Sequence, residues 1–70
     1  MKKYTLIWTK LKRLRRGKLD LFQREVAERV GVSKTTYIMW ETGKVQPKAE
    51  HLIKLASLFG KEIYKEEEIR

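Results

Sequence analysis

The sequence predicts an all-α fold, a compact four- to five-helix domain, on three observations. Apolar residues recur at helical intervals in several separate stretches. Glycines stand at positions 17, 31, 43 and 60, where helices would end. No stretch alternates apolar with polar residues long enough for a strand. Seventy residues leave room for one domain, 1–70, and so small a core must be dense or shared with a partner.

The first helix is expected over about 4–16, with Tyr4, Ile7, Leu11 and Leu14 on one stripe and Trp8 at its edge. Gly17 suits its C-cap. A second helix follows over about 21–30, with Asp20 as N-cap and Gln23 three residues on as the other half of a capping box. Gly31 ends it. Ser33 then caps a third helix over 34–42, closed by Gly43. After a loop to Pro47, Leu52, Leu55, Ala56 and Phe59 mark a fourth helix over 48–59, ended by Gly60. A short fifth helix over 62–68, expected to fray, carries Ile63 and Tyr64 beside Glu66, Glu67 and Glu68.

Composition narrows the function. With 41% hydrophobic and 37% charged residues the chain reads as a soluble globular domain, and no apolar run is long enough for a membrane span. The absence of cysteine excludes disulfides, thiolate zinc sites and cysteine nucleophiles, and it fits a reducing, cytoplasmic home. A net charge of +8 on so small a body draws polyanions, nucleic acid first. The excess is concentrated at the start: residues 1–18 hold Lys2, Lys3, Lys10, Lys12, Arg13, Arg15, Arg16 and Lys18 and no acid. No nucleophile, base and orienting group occur together, so an enzyme is not expected. His51 lacks partners for a metal site and is expected at the surface; no cofactor is implied.

The informative segment is 23–42, QREVAERVGVSKTTYIMWET, within a helix-turn-helix expected at about 21–42. A link of only Gly31-Val32-Ser33 forces its two helices into a steep crossing. Val26, Val30, Val32, Tyr37 and Trp40 then face inward, and Ala27 allows close approach. Residues 34, 35, 38, 39 and 42 share the opposite face of the third helix.

With the flanking Leu14-Arg15 and the trailing Trp40-Glu41…Gly43-Lys44…Pro47, this segment resembles the Xre family of bacterial and phage repressor and Cro-like helix-turn-helix proteins. The resemblance covers about residues 5–64. It implies a five-helix DNA-binding domain, usually a homodimer on a pseudo-palindromic operator, that regulates transcription in a prokaryotic nucleoid or a phage-infected cell. Family base-reading positions fall on Lys34, Thr35 and Met39, with Ile38 beside them on the same face. Lysine can donate to guanine, and the apolar pair suits thymine methyls. Phosphate-contacting positions fall on Gln23, Ser33, Thr36, Thr42, Lys44 and Lys48. Arg15 and Glu41 match a family ion pair that ties the first helix to the end of the third.

The sequence departs from the family at Thr42, where a longer amide side chain is common, and in the link before the second helix. The link from Arg16 to Gln23 is about one residue long, and Phe22 stands where a Ser or Thr cap is usual. Either Asp20 takes over capping and the second helix starts a turn early, or the cap is lost. Two rival functions share these residues: an antitoxin-type autoregulator holding a toxin partner, and a nucleic-acid or protein interaction module without sequence preference.

Overall fold

The computed structural model describes residues 1–69. In chain order it has strand β1 (Lys2–Leu6), helix α1 (Thr9–Leu14) running into a π-helical turn (Arg15–Leu19), α2 (Gln23–Val30), α3 (Lys34–Glu41), α4 (Ala49–Phe59), a 3₁₀ turn (Lys61–Ile63) and strand β2 (Tyr64–Glu68). The helices α2, α3 and α4 stand where hydrophobic spacing puts them.

The two ends of the chain correct the all-α reading. Residues 2–6 are a strand, not the start of the first helix, and residues 64–68 are a strand, not a fifth helix. They pair antiparallel, with Lys2 opposite Glu68, Lys3 opposite Glu67 and Leu6 opposite Tyr64. Opposite charges facing across a ladder stabilise it. Lys2 Nζ lies 2.8 Å from Glu66 and the terminal ammonium 3.2 Å from Glu68. The rings of Tyr4 and Tyr64 meet edge to face, with centroids 5.6 Å apart. The sheet joins the body at Leu6 and Ile63, both buried, and the Ile7 N–H donates to the Ile63 carbonyl at 2.7 Å.

The core is contiguous and draws on β1, all four α-helices and the 3₁₀ turn. Leu6 and Leu11 come from the N-terminal part, Val26, Ala27 and Val30 from α2, Tyr37 and Trp40 from α3, Leu52, Leu55 and Phe59 from α4, and Ile63 from the turn beyond. Val32 is partly buried against them. His51 is half-buried rather than at the surface, its ring centroid 5.3 Å from that of Trp40.

The long link after α1 is absorbed by widening the helix. A π turn holds one more residue than an α turn, so Arg15–Leu19 takes up the extra position. Gly17 lies inside this turn. The left-handed C-cap is Asp20, at φ 52°, and its N–H donates to the Arg15 carbonyl. Asp20 therefore does not cap α2. That helix begins at Gln23 with Phe22 as N-cap and no side-chain cap; only the reverse half of a capping box is made, the Phe22 N–H donating to Glu25 Oε1 at 2.9 Å.

Trp8 precedes α1 and lies across Gly43, just after α3. A Cβ on Gly43 would come within 2.6 Å of Trp8 Cε2, at φ +77°, where an L side chain is strained in any case. Gly43→Ala should therefore cost about 1–3 kcal/mol, read as a lower urea midpoint at unchanged slope. An unchanged midpoint would show that the indole simply moves aside.

Candidate nucleic-acid interface

Helix α3 is oriented by its buried face. Tyr37 and Trp40 are buried in the core, which turns the Lys34 and Thr35 side to solvent. Lys34 and Thr35 are exposed on its first turn; Ile38 and Met39 are partly covered. Ser33 fixes the start: its Oγ accepts from the Thr36 N–H at 3.1 Å and its hydroxyl donates to Thr36 Oγ1 at 3.0 Å. Gly31, left-handed at φ 86°, closes α2 and makes the short turn possible.

A buried ion pair locks α3 to the end of α1. Arg15 Nε donates to Glu41 Oε2 at 2.9 Å and Arg15 Nη2 to Glu41 Oε1 at 3.1 Å, a fork-to-fork pairing. The third arm of the guanidinium, Nη1, donates to the Leu21 carbonyl at 2.9 Å and pins the π turn. Gln23 Nε2 donates to Glu41 Oε1 at 3.1 Å, so the first residue of α2 joins the same network.

Burial pushes the Glu41 carboxyl up. The hydrogen bonds from Arg15 and Gln23, with the Tyr37 hydroxyl nearby and the guanidinium charge, outweigh it and hold the group below its ordinary value. The bond to Glu41 likewise outweighs burial at Arg15 and pushes the guanidinium up. Burial first, then the neighbouring carboxylate, push the Tyr37 hydroxyl far up; that hydroxyl has no hydrogen-bond partner of good geometry.

The positions expected to contact phosphate fall into two groups. Lys44 and Lys48 are exposed on the loop between α3 and α4, together with Thr42 at the end of α3. The Thr42 hydroxyl donates to the Ile38 carbonyl at 2.8 Å and so completes the end of its own helix. Ser33 and Thr36 lie at the start of α3, and Gln23, the first residue of α2, lies alongside that helix, bonded to Glu41 at its end. Gln23 is half-buried, and with Arg15, Phe22, Arg24 and Lys34 it lines an open groove of about 370 Å³. Arg24 does not stand out in the sequence, and Phe22 does so only as a missing cap. Arg24 follows Gln23 directly, and an arginine beside a helix start expected to face a polyanion was the available signal.

No helix of the described residues is long and apolar enough to cross a membrane. A stretch of 41 residues is 49% identical to the cryptic phage CTXphi transcriptional repressor RstR of Vibrio cholerae, covering 59% of this chain and 37% of that protein. The chain thus spans well under half the length of that relative. No solved structure matches it. The helix-turn-helix family matches residues 11–65, from the first buried leucine of α1 into β2. A match of that length takes in the ion pair, the glycine turn and α3 together, and on it the chain belongs to the helix-turn-helix family, in its Xre and phage-repressor branch.

Proposed function

We propose that this chain is a sequence-specific double-stranded-DNA-binding regulator of transcription, most simply a repressor that occupies its operator in the cytoplasm. One observation carries the reading: Lys34 and Thr35 project from the first turn of a helix whose far side is locked into the core by Tyr37, Trp40 and Glu41. The relative's description as a transcriptional repressor supports it, as does the +8 charge.

In this reading α3 enters the major groove. Lys34 and Thr35 meet base edges, while Ile38 and Met39 contact thymine methyls or the groove wall. Anchoring comes from Lys44 and Lys48 beyond the end of α3, from Ser33 and Thr36 at its start, and from Gln23 at the start of α2. In this reading Gln23 has two tasks at once. Its amide has two N–H groups; one is held by Glu41, which leaves the second free to donate to a phosphate oxygen. Thr36 similarly keeps its own hydroxyl proton after accepting from Ser33.

An eight-residue helix reaches only a few base pairs, so useful specificity calls for two copies on a two-fold operator. We propose a homodimer for that reason. Selection from random duplexes by the purified protein tests the function. It should enrich one motif with two-fold symmetry, and that motif should outcompete random duplex and structured RNA. Failure to enrich any motif would overturn the reading.

A further inference from the structure

We propose that Phe22 is a non-ionic DNA contact, its ring seated against the deoxyribose faces of the backbone strand that Arg24 holds by its phosphates, beside the Lys34 that enters the groove. This rests on the DNA-binding reading above and adds to it a contact that no charge count predicts.

Three observations converge on Phe22. It is 72% exposed, so the ring gains little from folding. It occupies the N-cap of α2, where a Ser, Thr, Asp or Asn would accept a backbone N–H and stabilise the helix by about 1 kcal/mol; phenylalanine has no acceptor, and the helix has no side-chain cap. The rest of the capping box is nevertheless in place, since Glu25 accepts from the Phe22 N–H at 2.9 Å. Stability alone would therefore select a small polar residue here.

Its surroundings say what the ring meets. Phe22 lines the open groove with Arg15, Gln23, Arg24 and Lys34, at the edge of the surface that carries the start of α3. Arg15 is committed to Glu41 and Leu21, whereas Arg24 and Lys34 are exposed and have no acid among their side-chain partners in the described residues. An apolar ring flanked by two free cations matches a nucleic-acid backbone, where phosphates flank the apolar faces of the sugars. An apolar protein surface would complement the ring but leave both cations unpaired.

Affinity for the selected duplex, measured across salt concentrations, tests this with Phe22→Ser and Phe22→Leu. Phe22→Ser completes the capping box, so its melting temperature should equal or exceed that of the parent. Covering about 50–60 Å² of ring contributes about tenfold in affinity per copy, and Phe22→Ser should lose that factor for each copy bound. Phe22→Leu, which keeps the apolar contact, should stay within about threefold of the parent. The slope of log affinity against log salt should be unchanged in both, whereas Arg24→Ala should lower it by about one per copy. Parental affinity in Phe22→Ser overturns the proposal, as does a loss accompanied by a smaller slope, which would place the ring's effect on the cations. If the parent itself prefers no duplex, the DNA-binding reading fails instead, before any Phe22 variant is compared.

Discussion

Arg15→Ala should lower the melting temperature by about 15–30 °C, because it strands the Glu41 carboxylate in the interior with Gln23 as its remaining donor among the charge-bearing bonds described. Removing one partner of a buried pair costs about 3–5 kcal/mol, and a chain of this length has only about 4–10 kcal/mol in total. The single variant should therefore be largely unfolded at or somewhat above room temperature. Replacing both partners by apolar residues of similar size should cost much less than replacing one. Equal losses in the single and double variants would show that the pair acts through packing, not charge.

The same network predicts an acid limit. Glu41 has a folded-state pKa below its ordinary value of 4.5, so its stabilisation is fully present above that value. It is lost as the pH falls from there through the depressed value, when the carboxylate takes up a proton and the guanidinium loses its partner. Thermal denaturation between neutral pH and pH 3 should show the loss below about 4.5, and Glu41→Gln should flatten that part of the curve.

The second large effect is on salt dependence. Arg24, Lys44 and Lys48 are exposed on or beside the proposed DNA-facing surface, three phosphate-facing cations per copy and six for a pair. Each neutralised phosphate releases counterions, at about 0.9 in the slope of log affinity against log salt. Six contacts then predict a fall of about three decades in operator affinity between 50 and 200 mM salt. A fall of less than about one decade would mean that this face does not carry the phosphates. Lys2 is already paired with Glu66, so Lys2→Ala should leave the slope unchanged.

What the sequence made legible follows from how local each signal is. Gly31, Ser33 and the spacing of Val26, Val30, Tyr37 and Trp40 act within one or two turns, and the structure has the glycine left-handed, the serine capping and the four apolar residues buried. The strands escaped notice because β1 and β2 are five residues each and lie at opposite ends of the chain, so neither shows a period of its own. Tyr4 and Ile7 also continue the spacing of Leu11 and Leu14, which imitates one long helix. The available signal was charge: Lys2-Lys3 at one end and Glu66-Glu67-Glu68 at the other are complementary. Asp20 is ambiguous in the sequence for a related reason. The residue is equally suited to an N-cap and to a left-handed turn, and only the hydrogen bonds of the π turn decide between them.

The proposed interface is legible as a set of positions, since helical geometry alone puts 34, 35, 38 and 39 on one side. Its finer division is not. That Thr42 completes its own helix end and that Gln23 is shared with Glu41 depend on side-chain geometry that spacing does not encode.

The claim that α3 reads bases is tested most directly by Lys34→Ala with Thr35→Ala, compared with the parent on the selected duplex and on random duplex. Both residues are exposed, so the melting temperature should be unchanged. Preference for the selected duplex over random DNA should fall at least about a hundredfold, while affinity for random DNA falls only by what one lost cation per copy accounts for. An undiminished preference in the folded double variant would contradict the account.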